Sequence, residues 1–144
     1  MTMTPTSAAA MLDAGSLEDA GAFARAAGFV LDDLTGSRVS GHIDLSADHH
    51  TPWGIVHGGV YASAIESAAS IGASAAVRDA GMVAVGITDT THFLRSVTEG
   101  RAQVEAFVIN QGRTQQLWRV DITDDLGRLL AHGEIRLQNI TPAG

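Results

Sequence analysis

Cysteine and lysine are both missing from the 144 residues, proline occurs three times and tyrosine once. Without cysteine there can be no disulfide, thiol nucleophile or thiolate metal site. Without lysine, all nine cations are arginines, set against sixteen aspartates and glutamates for a formal net charge of −7. The arginines form no basic cluster, so nucleic-acid binding is not expected. Residues 1–15 lack the basic start and the apolar stretch of a secretory signal, and read as a loose leader rich in Thr, Ser and Ala ahead of a single domain over 16–144. At 45% apolar and 17% charged residues, that domain has enough material to bury a core.

The longest uncharged segment is GGVYASAIESAASIGASAAV over residues 58–77, with one glutamate at its centre. Its many Ser, Gly and Ala residues make it a poor membrane span. It reads as a helix buried in a soluble protein, and no membrane partner is expected. A shorter helix is expected over 16–27, capped by Ser16 with Glu18 and Asp19 in its first turn and stopped by Gly28. Residues 29–46 read as extended structure interrupted near Gly36, with Val39, Gly41, Ile43 and Leu45 alternating against polar neighbours. After the long helix, four alternating segments at 83–94, 101–110, 114–123 and 128–138 suggest a meander joined by short turns. The fold class is α+β: an antiparallel sheet wrapped on one long central helix.

Glu66 is the only charge between His57 and Arg78. A carboxylate on a helix expected to be buried, with no basic residue within a turn, suits a nucleophile or general base. The alternative is that it emerges at a helix end or pairs with an arginine on another strand. His57-Gly58-Gly59 stands where that helix begins. Uncovered N–H groups at a helix N-terminus can act as an oxyanion hole, although the same glycines would also serve a tight turn. Gly58 and Glu66 are eight residues apart, about 12 Å along a helix. A reacting carbonyl must lie near both groups, so one chain can hardly supply the two. If both act, a dimer with a shared site follows. Ser70, one turn beyond Glu66, would orient the carboxylate or hold a water, or else simply permit close packing. His42, His49, His50, His92 and His132 follow no zinc spacing, and no metal is expected.

The run Gly54-Ile55-Val56-His57-Gly58-Gly59 with Glu66 and Ser70 resembles the hotdog-fold acyl-CoA thioesterases. The similar subgroup holds 4-hydroxybenzoyl-CoA thioesterase of the Arthrobacter type and the phenylacetate-pathway and 1,4-dihydroxy-2-naphthoyl-CoA thioesterases. Val85-Gly86-Ile87, His92-Phe93-Leu94-Arg95-Ser96, Gln116-Leu117-Trp118 and Asp124-Asp125-Leu126-Gly127-Arg128 extend the likeness over roughly residues 35–140. The resemblance implies hydrolysis of an acyl-CoA or aryl-CoA by a cytoplasmic homodimer, paired into a homotetramer, with no cofactor beyond the CoA of the substrate. It implies Glu66 as nucleophile or base, the Gly58 N–H as oxyanion donor, Ser70 near the attacking water and His57 shaping the site. Thr51 stands where relatives often carry Gln or Asn, and His50 is an alternative for that contact. Gly59, Arg95, Ser96, Arg113 and Thr114 match positions that hold CoA, although exposed arginines beside turns need no such role. Phe93, Trp53 and Tyr61 are candidate acyl-pocket residues or core. The competing readings are a hotdog hydratase or dehydratase and a non-catalytic acyl-CoA-binding protein.

Overall fold

Alternating side chains build the frame. The computed structural model describes residues 21–142. Helix α1 (Ala22–Ala27) ends at Gly28, whose φ of 82° is left-handed and whose N–H donates to the Ala24 carbonyl. The predicted start of this helix at Ser16 lies outside the described residues. Strands β1 (Phe29–Leu34) and β2 (Arg38–Leu45) follow. The interruption expected near Gly36 is their hairpin turn, in which the Thr35 hydroxyl accepts from the N–H groups of Ser37 and Arg38.

Helix α2 (Gly58–Val77) comes next, then β3 (Val83–Phe93), β4 (Gly100–Gln111), β5 (Gln115–Thr123) and β6 (Leu129–Ile140). The sheet order is β1-β2-β4-β5-β6-β3, antiparallel at every step. The expected four-strand meander is therefore only partly right. β4, β5 and β6 are sequential neighbours, but β3 pairs with β6 and forms the far edge, while β2 occupies the other side of β4. Alternation tells which face a strand presents and does not specify its neighbours.

By length and composition Gly58–Ala80 could cross a membrane. It lies instead in the hollow of the sheet, with Ala64, Ile65, Ala68, Ala69, Gly72 and Ala73 buried. Small residues let the helix sit close: a Cβ on Gly72 would lie 2.5 Å from the Trp118 ring and 2.7 Å from Val39. Beneath it are Val39, Ile43, Val104, Trp118, Val120, Ile122, Ile135 and Leu137, all fully buried. Gln116 and Asn139 are the buried polar side chains among the described residues, and Gln116 is the hub. Its amide donates to the Ala73 carbonyl (3.0 Å) and to Asn139 Oδ1 (2.9 Å), and its oxygen accepts from Trp118 Nε1 (2.9 Å).

Candidate active site

The N-terminus of α2 is shaped by its cap. His57 is extended (φ −67°, ψ 131°), and its Nδ1 accepts from the Gly59 N–H at 2.8 Å. In the neutral ring the proton is then on Nε2, which is left as a donor. Gly58 is the first helical residue, so its N–H has no intrahelical acceptor. A Cβ at Gly58 would lie 2.9 Å from the Phe93 ring. Glycine here allows β3 to approach the helix start. The Ser63 hydroxyl donates to the Gly59 carbonyl at 2.6 Å.

Two turns further along, Glu66 leans over β3. Its Oε1 is 3.3 Å from the position a Cβ on Gly86 would take, and the Ser70 hydroxyl donates to the same oxygen at 3.4 Å. The expectation of a buried carboxylate is corrected here: within one chain Glu66 is exposed. The cause is its place on the helix. The residues before and after it in the core stripe, Ile65 and Ala69, face the sheet, whereas Glu66 points across the flank toward an edge strand with no further strand beyond it among the described residues.

Thr51 is engaged in a turn: its hydroxyl accepts from the Trp53 N–H at 3.2 Å, and its N–H donates to the Ile55 carbonyl at 2.7 Å. His50 Nε2 donates to the Thr98 carbonyl at 2.6 Å, which pins the loop to the segment after β3. His49, His50, His57, Gly59, Val60, Ser63 and α1 border a groove of about 360 Å³. Among the three aromatic candidates, Phe93 is 58% exposed beside Gly58 and Trp53 84% exposed on the loop, but Tyr61 is core at 3% exposure. Its hydroxyl has no hydrogen-bond partner among the described residues, and burial pushes its pKa up to about 12.

The two predicted CoA-contact pairs are not brought together. Arg95-Ser96 follows the Phe93 end of β3, where the Arg95 N–H donates to the Leu130 carbonyl. Arg113-Thr114 forms the β4–β5 turn, where the Asn139 amide donates to the Arg113 carbonyl and the Asn139 N–H to Thr114. Asn139 pairs with Ala84 at the other end of β3, so the pairs are roughly 30 Å apart by strand rise. Among the described residues, no three His, Asp or Glu side chains group to hold a metal.

The family model described as the thioesterase superfamily matches residues 54–131, from the loop before α2 into β6. The chain belongs to the thioesterase superfamily. This thioesterase-superfamily chain is 46% identical over 89 residues to a protein described as a candidate esterase of Mycobacterium tuberculosis, covering 60% of this chain and 64% of that one. A solved structure of that mycobacterial protein superposes with a TM-score of 0.80 at 38% identity, covering 85% of this chain and 98% of the other. AziG of S. sahachiroi superposes with a TM-score of 0.79 at 34% identity, over 83% and 97% of the two chains. The 1,4-dihydroxy-2-naphthoyl-CoA thioesterase 2 of Arabidopsis thaliana is 39% identical over 95 residues, 65% of this chain and 59% of that protein. In sequence, the match thus spans under two thirds of these relatives' length. The sheet-wrapped helix is the hotdog fold.

Proposed function

We propose that the protein hydrolyses an acyl-CoA or aryl-CoA thioester to the free acid and CoA. The observation that carries this reading is the pairing on one helix of an open Gly58 N–H at the start and a Glu66 carboxylate eight residues on, steadied by Ser70. The Glu66 carboxylate either attacks the thioester carbonyl, giving a mixed anhydride that water then cleaves, or takes a proton from the attacking water. The carbonyl oxygen gains negative charge in both routes, and the Gly58 N–H with the positive end of α2 stabilises it. The His57 Nε2–H is a second donor at that end. CoA leaves as the thiol.

The two groups act from different copies of the chain. β3 is an open edge carrying exposed Val85, Ile87 and Phe93, a surface that proteins seldom leave uncovered. Antiparallel pairing of two β3 strands about their middle sets the Gly86 end of one beside the Phe93 end of the other. Glu66 then approaches the partner's Gly58 and loses its exposure. The same pairing brings Arg95-Ser96 of one copy toward the Arg113 end of the other, so a CoA-binding rim with Gly59 is assembled across chains. Two such dimers form a homotetramer. The naphthoyl-CoA relative favours an aryl substrate, and the reading places the reaction in the cytoplasm.

Thiol release from benzoyl-CoA, 1,4-dihydroxy-2-naphthoyl-CoA and hexanoyl-CoA tests the reaction. The wild type is expected to hydrolyse at least one, and Glu66→Ala, exposed in the single chain and outside its core, to stay folded and lose activity by orders of magnitude. An inactive wild type, or an active Glu66→Ala, overturns the assignment and favours acyl-CoA binding without turnover.

A further inference from the structure

Ser74 lies on the same flank of α2 as Glu66 and Ser70, about two turns beyond the glutamate. Its hydroxyl accepts from the Ala84 N–H at 3.0 Å and donates to the Ala84 carbonyl at 3.4 Å. The backbone of Ala84 therefore faces away from β6, toward the free edge of β3. Asn139, opposite Ala84 on β6, also turns away, and gives its N–H to the Thr114 carbonyl. In an antiparallel ladder every second opposed pair turns away in this manner. Stepping along β6 in twos from Asn139 gives Leu137, Ile135, Gly133 and Ala131, whose partners on β3 are Gly86, Asp89, Thr91 and Phe93. The register break between Gly86 and Thr88 absorbs the one extra residue of β3. The free edge thus presents the backbone of Ala84, Gly86, Asp89, Thr91 and Phe93, and Ser74 closes it at Ala84.

The remaining positions map onto themselves under the two-fold reversal of an antiparallel dimer: Gly86 pairs with the partner's Phe93, and Asp89 with the partner's Thr91. Gly86 meets Glu66 and Phe93 meets Gly58, so this register sets Glu66 beside the partner's Gly58. Were Ala84 open, the longest ladder would place Asp89 against itself and Gly86 against the partner's Thr91. That is a slip of two residues, about 7 Å, whereas a reacting carbonyl must lie within about 3 Å of both groups. We infer that Ser74 is a positioning residue: by closing the β3 edge at Ala84 it fixes the register in which two copies pair, and with it the geometry of the shared site. The inference rests on the shared-site reading above.

The chain has no cysteine, so one introduced thiol reports the register. Thr90 is exposed between Asp89 and Thr91. In the inferred register it faces its own copy across the two-fold at a Cα separation of about 4.5 Å, which a disulfide spans. In the slipped register the separation is about 8 Å, which a disulfide does not span. Under mild oxidation Thr90→Cys is expected to become a disulfide-linked dimer that hydrolyses thioesters at near the wild-type rate. Adding Ser74→Ala should slow cross-linking and lower kcat, each by about tenfold or more, with circular dichroism unchanged. Adding Ser74→Thr instead, which keeps the hydroxyl, should preserve both. Equal cross-linking rates with serine or alanine at position 74 overturn the inference. So does a loss of kcat without a change in cross-linking, which marks ordinary packing. A wild type that is dimeric and hydrolyses thioesters, while Thr90→Cys fails to link, overturns the inference and leaves the hydrolase reading intact. A wild type that is monomeric by light scattering, or inactive on every thioester, overturns the shared-site reading and the inference with it.

Discussion

Tyr61 is where composition makes a single residue measurable. It is the only tyrosine, and there is no cysteine or lysine, so between pH 9 and 12 its phenol is the sole side chain expected to titrate. Its ordinary value is 10.0, and burial pushes the folded value to about 12. Below pH 10 both states keep the proton. Above it the unfolded chain releases the proton first, so stability falls from pH 10 to 12 and levels off beyond, by about 2–3 kcal/mol. Urea unfolding at pH 9 and 11.5 should show this loss in the wild type and not in Tyr61→Phe. At neutral pH the same variant should match the wild type or exceed it by about 1 kcal/mol, because it removes a buried hydroxyl that has no partner. Tyr61 was a candidate acyl-pocket residue from sequence. An aromatic residue at the start of a helix reads alike whether it faces substrate or core, and only the packing separates the two.

At the scale of the element, the C-terminal half of α2 and the β4–β5 turn depend on one buried amide. Gln116 joins the Ala73 carbonyl of the helix, Trp118 Nε1 and Asn139 Oδ1, and Asn139 in turn holds the carbonyls of Gly112 and Arg113. Gln116→Leu keeps the volume but orphans the Trp118 and Asn139 groups. It should cost about 2–4 kcal/mol in chemical denaturation and loosen the turn bearing Arg113 and Thr114. Sequence disclosed the elements themselves well. The alternation of Val39 to Leu45 and Ala102 to Val108 marked strands, and the uncharged run from Gly58 marked the central helix, because each element buries one face. It did not disclose that β3 crosses to the far edge beside β6. That choice is set by the helix spanning the sheet, a long-range event that no local pattern records.

For the whole molecule, the spacing of Gly58 and Glu66 was legible from helix rise alone, and the exposed Glu66 beside an open β3 edge is what that spacing requires if a second copy completes the site. The account's central claim is therefore a catalytic centre divided between chains, and a mixing experiment tests it most directly. Glu66→Ala removes the carboxylate. Gly58→Pro removes the N–H at the first helical position, where proline's fixed φ is tolerated and the extended His57 suits a following proline; its Cβ makes the exposed Phe93 ring swing aside, and Gly58→Ala, which adds the same Cβ and keeps the N–H, is the control. It should lower kcat by about 10²–10³-fold. Each variant alone is predicted to be nearly inactive. Unfolded together and refolded, they should form mixed dimers in half of the population, each with one intact site, and recover about a quarter of wild-type thiol release. Mixed dimers that form but stay inactive, with both variants folded, would contradict the account and place Glu66 and Gly58 outside a common site.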